Sequence, residues 1–291
     1  MRSTFTRLLL AVVCTAGSHV AAGPSGPAPS SPGSVRVIHE PTTDPAHRHV
    51  YELVQRDATF ARARDALALF RLPKDVTFRT RDCSGRGGAW YYDGTVTICY
   101  GYLQTIVENA RSPQRPDWVS EEAAIAGPIA DVVLHEGAHA LFEFLKTPLL
   151  GREEDAADMF ATFMLLNLFK ADAKALISGI AYSYLNDAAA KNFTDLPTLE
   201  NRVVPSRAYG GAHSTPLQRL YSVICHASGF DEATFAELKA SSDLPNWRAN
   251  GCEDEYRQIA HAFQTLLAPH VDAEQAKALW PEANLLSGSK P

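Results

Sequence analysis

Two histidines four positions apart, His135 and His139, lie near the middle of the 291-residue chain, and a glutamate, Glu136, follows the first of them. On a helix this spacing places both imidazoles on one face, one turn apart. Two neutral imidazoles placed in this way can bind one Zn²⁺ at about 2.0–2.1 Å each. Glu136 would point to the side of the pair, where it could hydrogen-bond a metal-activated water and accept its proton. The three residues therefore predict a centre for metal-assisted hydrolysis, with Glu136 as the catalytic base.

The residues around this motif favour a helix. Ser120 is a typical N-cap residue, and Glu121 and Glu122 suit the positive end of the helix dipole. Apolar residues recur at helical spacing at Ile125, Ile129, Val132, Val133, Leu141 and Phe142. Pro128 lies inside this run, so we expect the helix to start or kink there.

A catalytic zinc needs a third protein ligand and one open position. The Thr147-Pro148 pair ends the first helix, and residues 153–169 predict a second one. Because the connection is short, the two helices are expected to be antiparallel neighbours. The second helix would then return an early-turn carboxylate to the neighbourhood of His139.

Three acidic residues in the first turn of the second helix are candidates for this position. Glu154 and Asp158 are four apart and share one helix face, so we expect Glu154 to bind the metal and Asp158 to accept the N–H of a ligating histidine. Glu153 lies about 100° away around the helix and is the weaker candidate. Asp155 is weaker still. Glu153 therefore stays open as the alternative third ligand.

This constellation resembles the Glu-zincin class of metallopeptidases, the thermolysin-like group whose third ligand is a Glu in a Glu-x-x-x-Asp context on the following helix. The wider pattern is similar to a family of bacterial secreted metallopeptidases that is itself named as a domain of unknown function. The resemblance extends from about residue 50 to about residue 268. It includes residues 150–158, Cys83, the Thr97-Ile98-Cys99-Tyr100 segment and the His213, Gln218-Arg219 and Cys225 run. It implies a zincin-like fold and a metal site more strongly than it implies any one substrate.

His213 precedes a predicted helix that Ser214 or Thr215 would cap, with Pro216 in its first turn. From there it could project into the metal cleft and donate a hydrogen bond to the oxyanion of a tetrahedral intermediate. The resemblance favours this catalytic role. The alternative is a surface or capping histidine. We expect Arg219, on the same helix, to pair with a structural carboxylate.

Composition excludes several classes of partner. The formal net charge is −6, and 46% of the residues are hydrophobic, enough for a substantial core. No long block of one charge sign is present, so nothing indicates nucleic acid or an anionic membrane surface as a partner. The expected partner is a peptide or protein substrate.

The beginning of the chain predicts export. Residues 1–22 have the pattern of a secretory signal peptide, with a basic start, a short apolar centre at 8–13 and small residues at 20–22. The apolar run is too short to span a membrane. Cys14 raises the possibility of a lipid anchor, but the bulky Val13 before it argues against one. A secreted or periplasmic location is expected.

Four cysteines remain after removal of the signal peptide, which in an exported chain favours two disulfides. Of the three possible pairings we expect Cys83–Cys99 and Cys225–Cys252, because each pair lies within one local unit. A cysteine-based zinc site is the alternative, but no C-x-x-C is present.

The strand signals lie before the metal motif. Residues 76–79 alternate like a strand, and residues 90–92 and 95–100 flank Asp93-Gly94, a hairpin turn signal. The hairpin is a candidate edge strand for an extended substrate, or simply a cover for the helices. The glycine-rich loop at 85–88 lacks the Lys and Ser/Thr of a phosphate loop, which excludes nucleotide binding of that type.

We therefore predict an α+β fold, a mostly helical zincin-like domain with a small antiparallel sheet beside the helix pair. It would span residues 48–285, after a flexible Pro/Gly/Ser-rich leader at 23–47 and before a disordered tail at 286–291. The predicted function is that of an exported zinc metallopeptidase with one Zn²⁺ per chain. A non-catalytic zinc-containing peptide-binding module is the alternative. A carboxylate-bridged di-iron protein would need a second Glu-x-x-His motif, which the chain lacks.

Overall fold

A computed structural model of the chain describes residues 32–84, 87–190, 211–242, 244–281 and 285. The signal peptide predicted at 1–22 and the tail predicted at 286–291 lie outside the described residues, as does the first part of the predicted leader. The α+β class is confirmed, since the structure is mostly helical and its strands form one small sheet. The helices are α1 (Arg48–Arg56), α2 (Ala58–Leu67), α3 (Tyr100–Ala110), α4 (Glu121–Leu145), α5 (Glu153–Leu168), α6 (Ala173–Ala190), α7 (Pro216–Phe230), α8 (Glu232–Ser241), α9 (Asn246–Ala249), α10 (Cys252–Leu266) and α11 (Ala273–Leu279), with short 3₁₀ helices at Pro45–His47 and Ala268–His270.

The sheet has four strands, β1 (Val35–His39), β2 (Val76–Arg81), β3 (Ala89–Tyr92) and β4 (Thr95–Cys99), in the order β1-β2-β4-β3. The predicted hairpin is present as β3 and β4, which pair antiparallel around the Asp93-Gly94 turn. Both turn residues have positive φ, which Asp and Gly tolerate better than most residues. The hairpin leaves β3 at the edge of the sheet.

The prediction of a purely antiparallel sheet is wrong. β2 pairs parallel with both β1 and β4, so the sheet is mixed. The prediction of a flexible leader over all of residues 23–47 is also wrong, because β1 lies inside that range. β1 is ordered by its ladder to β2, by Val35 and Val37 packing on the core, and by Asp75, whose carboxylate accepts hydrogen bonds from the backbone and hydroxyl of Ser34.

Helix α4 crosses the core and is buried along most of its length. It begins as predicted, with the hydroxyl of Ser120 accepting a hydrogen bond from the backbone N–H of Ala123 at 3.1 Å. It continues through Pro128 to Leu145 rather than starting at the proline. Its packing against the core along most of its length outweighs the single backbone hydrogen bond that a proline removes.

Helices α4 and α6 touch backbone to backbone at two glycines. A Cβ on Gly179 would overlap the carbonyl oxygen of Ala123, and one on Gly127 would overlap that of Leu176. The close approach requires glycine at both positions. It brings α6 near enough for Tyr184 to reach α4.

Both predicted disulfides are confirmed. Cys83–Cys99 joins the loop after β2 to the end of β4, and Cys225–Cys252 joins α7 to α10. Cross-links of this kind restrict the unfolded chain and are typical of proteins that fold in oxidising compartments. In the part of the chain that the structure describes, no helix combines the length and apolar character needed to cross a membrane.

We predict that Gly179→Ala lowers the free energy of unfolding by about 1–3 kcal/mol, because the added methyl forces the two helix backbones apart. Urea denaturation followed by circular dichroism measures the change. Gly101→Ala in α3 is the matched control, since its Cβ would meet only His47 at an ordinary 3.7 Å. That variant should be neutral or up to about 1 kcal/mol more stable, from helix propensity alone. Equal effects of the two substitutions would contradict the close-contact explanation.

Candidate metal centre

The two motif histidines lie on one buried face of α4. His135 is 4% exposed, and its Nε2 lies 3.3 Å from the Nε2 of His139. Gly137 between them faces α2, where a Cβ would overlap the side chain of Leu67. The small residues of the motif therefore admit a neighbouring helix on one side, while the two imidazoles point together on the other.

Glu154 closes the group from the first turn of α5. Its Oε2 lies 3.1 Å from the Nε2 of His135 and 3.4 Å from the Nε2 of His139. Tetrahedral coordination with bonds of about 2.0–2.1 Å sets ligand atoms about 3.3 Å apart. The three separations between the candidate ligand atoms, 3.1, 3.3 and 3.4 Å, are close to that value. Within the described residues, His135, His139 and Glu154 are the group that could hold a metal ion.

The far side of each imidazole is occupied by another carboxylate. The Nδ1 of His135 lies 2.7 Å from the Oδ1 of Asp158, and the Nδ1 of His139 lies 2.7 Å from the Oε1 of Glu153. If each Nδ1–H donates to its carboxylate, both Nε2 atoms are unprotonated and each has a lone pair available. This tautomer is the one that a metal ligand requires. Glu153, which the sequence leaves open as a ligand, therefore lies where it can orient His139 instead.

The charges of these groups are strongly coupled. Burial lowers the pKa of His135, but hydrogen bonds to Asp158 and Glu154 outweigh burial and raise the pKa to about 10. Hydrogen bonds from His135, His139 and His213 hold the pKa of Glu154 far below its usual range. The carboxylates around the two imidazoles thus favour their protonated form. A cation that binds there would displace those protons.

Glu136 is buried, with 7% of its surface exposed. Burial raises its pKa, while the positive charges of His135 and His139 oppose that rise. A carboxylate whose pKa is moved from its usual value towards neutrality is better suited to both accept and release a proton.

His213 reaches the same cluster from the segment before α7. Its Nε2 lies 2.8 Å from the Oε2 of Glu154, and its ring stacks on that of His135 with centroids 5.8 Å apart. About half of its side chain is exposed. The next residue, Ser214, donates a hydrogen bond to Asp155 at 2.7 Å and accepts one from Arg152 at 2.6 Å. These contacts tether the segment that carries His213 to the start of α5.

Three further residues belong to this region. Arg219 donates from its Nε to the Oδ2 of Asp158 at 2.7 Å, as expected of an arginine that pairs with a structural carboxylate. Sequence reasoning missed Tyr184, whose hydroxyl donates to the Oδ2 of Asp131 at 2.9 Å. Asp131 carried a usable signal, because it precedes His135 by the same four-residue step that separates the two histidines.

A pocket of about 550 Å³ opens beside His139, between β3 and α4. Tyr91 joins its two walls, because its hydroxyl donates to the Oε2 of Glu143 at 2.8 Å. The lining residues are Tyr91, Tyr92, Asp93, His139, Phe142, Glu143, Thr147, Leu149 and Glu153. The candidate metal centre is therefore accessible to a ligand that lies along the edge of the sheet.

Comparison with known proteins gave one match. A protein-family model described as "Putative metallopeptidase" matches residues 39–267. The matched range contains all the residues of the candidate metal centre. No curated protein and no solved structure matches the chain.

We predict that Glu154→Ala and Glu153→Ala weaken binding of a divalent metal to different extents. Loss of Glu154 removes a ligand atom and should reduce affinity by more than about 100-fold. Loss of Glu153 removes only the acceptor of His139 and should cost about 10–100-fold. Competition with a chromophoric chelator measures both values. A larger loss in Glu153→Ala than in Glu154→Ala would exchange the two roles.

Proposed function

The chain belongs to this metallopeptidase family, DUF4344, and we propose that it is an exported zinc-dependent peptidase that binds Zn²⁺ through His135, His139 and Glu154. The observation that carries the proposal is the convergence of the two Nε2 atoms and one carboxylate oxygen at separations of 3.1–3.4 Å. Two imidazoles and one carboxylate form the ligand set of several zinc peptidases, and they leave a fourth position open.

A bound Zn²⁺ would lower the pKa of a water to about 7 and would polarise the carbonyl of the substrate. Glu136, beside the histidine pair, would accept the proton of the attacking water. It would then pass that proton to the nitrogen of the leaving amine as the peptide bond breaks. Its burial supports this role, because a raised pKa makes the carboxylate a stronger base towards the proton of the attacking water.

His213 is proposed to donate a hydrogen bond to the oxyanion that develops on the substrate carbonyl. Its position beside Glu154 supports this role, and the tether through Ser214 limits how far it can move away.

The substrate is proposed to be a peptide bound in extended form along β3. β3 is the edge strand of the sheet, and its Tyr91 and Tyr92 line the pocket beside His139. An extended chain can add to such an edge through main-chain hydrogen bonds while its side chains enter neighbouring pockets.

Export is proposed from two independent features. Residues 1–22 have a signal-peptide pattern, and the described part of the chain contains two disulfides. Disulfides persist in oxidising compartments such as the periplasm and the extracellular space.

We predict that Glu136→Gln retains the metal but loses about 100- to 10,000-fold in kcat/KM, because the amide cannot accept a proton. The test measures zinc content by elemental mass spectrometry and turnover on a peptide library with the mature chain. Glu122→Gln is the matched control, since Glu122 is an exposed residue in the first turn of the same helix.

Each result separates one part of the proposal. Zinc in both proteins, with turnover lost only in Glu136→Gln, supports the mechanism. Undiminished turnover in Glu136→Gln would overturn the assignment of the base. Zinc without turnover in the unaltered chain would favour the non-catalytic peptide-binding module instead.

A further inference from the structure

Asp158 lies between a metal-ligand candidate and an arginine. One carboxylate oxygen, Oδ1, is 2.7 Å from the Nδ1 of His135, and the other, Oδ2, accepts from the Nε of Arg219 at 2.7 Å. A second guanidinium nitrogen of Arg219 also donates to Oδ1. The arginine therefore grips the carboxylate with two parallel hydrogen bonds, a geometry that fixes the plane of the carboxylate as well as its position.

Arg219 is itself held from behind. Its guanidinium lies 4.5 Å from the centre of the Tyr184 ring, and the Tyr184 hydroxyl donates to the Oδ2 of Asp131 at 2.9 Å. Asp131 and Tyr184 are both buried, at 8% and 6% exposure. A planar guanidinium on an aromatic face has little freedom to rotate, so the tyrosine sets the direction in which Arg219 points.

The contacts form a closed circuit through four helices. Asp131 and His135 lie one turn apart on α4, Tyr184 lies on α6, Arg219 on α7 and Asp158 on α5. A shift of any one helix would change the angle at which Asp158 meets His135. Since a ligating nitrogen must point at the ion, the angle of the His135 ring depends on the whole circuit.

We infer that Arg219 is a positioning residue of the metal centre, which with Tyr184 and Asp131 behind it fixes Asp158 and thereby the ring of His135. The inference rests on the proposed metal site and adds a layer to it. Among the described residues, the Arg219 side chain hydrogen-bonds to Asp158 and stacks on Tyr184, and Arg219 is not part of the lining of the pocket beside His139. Its effect on the site passes through Asp158.

The first test measures the dissociation constant for Zn²⁺ by chelator competition in the full mature chain. Arg219→Gln should weaken binding about 10–100-fold, as is typical when a partner behind a metal ligand is lost. Arg219→Lys should be intermediate, because an ammonium keeps the charge but cannot grip both carboxylate oxygens. Tyr184→Phe keeps the aromatic ring but removes the hydroxyl that donates to Asp131, and it should reduce zinc affinity by a smaller factor.

Arg62 supplies a matched control. It makes the same two kinds of contact away from the site, an ion pair to Asp172 at 2.7 Å and a stack 4.6 Å from the centre of the Phe169 ring. Arg62→Gln should leave zinc affinity unchanged. Thermal unfolding of each protein in the presence of a chelator reports the structural cost separately.

A double-mutant cycle with Asp158→Asn tests whether the effect passes through Asp158. In that background Arg219→Gln should change zinc affinity by less than about threefold, because the carboxylate that it positions is gone. If Arg219→Gln does not fold, Arg219→Lys and Tyr184→Phe are compared in the same cycle.

The outcomes distinguish this inference from the proposed function. In one outcome the unaltered chain binds zinc normally, and the Arg219 and Tyr184 variants lose thermal stability but keep the same dissociation constant for zinc. That outcome would overturn the positioning role and leave the peptidase proposal intact. A folded unaltered chain that binds no zinc would overturn both. Both would be supported if Arg219→Gln weakens zinc binding in the unaltered chain but has little further effect in the Asp158→Asn background.

Discussion

The neutralisation of partly buried carboxylates by histidines and an arginine is the constraint on which the rest of this structure depends. Glu154 and Asp158 both lie against α4, and burial by itself would raise the pKa of each carboxyl group. Hydrogen bonds from imidazoles and from Arg219 outweigh that penalty and keep both groups charged. Two carboxylates are thus held in fixed positions beside imidazoles whose protons a divalent cation could displace.

The helices are arranged to meet this constraint. The antiparallel return of α5 brings its first turn to the histidines, while α6 reaches α4 closely only because Gly127 and Gly179 have no side chains. The Cys225–Cys252 disulfide fastens α7, which carries Arg219, to α10. The sheet forms one wall of the pocket that leads to the charge cluster. Tyr91 on the edge strand fixes this wall to α4 through its hydrogen bond to Glu143.

The features that sequence predicts well are local. The spacing of His135 and His139, the Ser120 cap and the Asp93-Gly94 turn each involve residues a few positions apart, and the structure contains all three as expected. Nearness in sequence also gave the right pairing of the four cysteines.

The features that escaped prediction are long-range. Strand β1 is stabilised by a partner about 40 residues away and gives only a weak signal in a Pro- and Gly-rich context. Helix periodicity ranked Glu154 above Glu153, but it could not show that Glu153 would meet the other nitrogen of His139. The Tyr184–Asp131 contact spans 53 positions, so helical spacing can place Asp131 on the face of the histidines but cannot identify Tyr184 as its partner.

The two sides of the candidate centre differ in a way that suits catalysis. Behind the histidines, Asp158, Arg219 and Tyr184 form a largely buried layer of paired groups that resists movement. In front, His213 is half exposed and the pocket beside His139 is open. The paired groups behind the histidines would keep the ligand geometry constant, while the open pocket beside His139 would let an extended chain approach. Because Glu136 lies on the same helix as His135 and His139, α4 alone sets the position of the proposed base relative to the two proposed histidine ligands, while the third proposed ligand, Glu154, comes from α5.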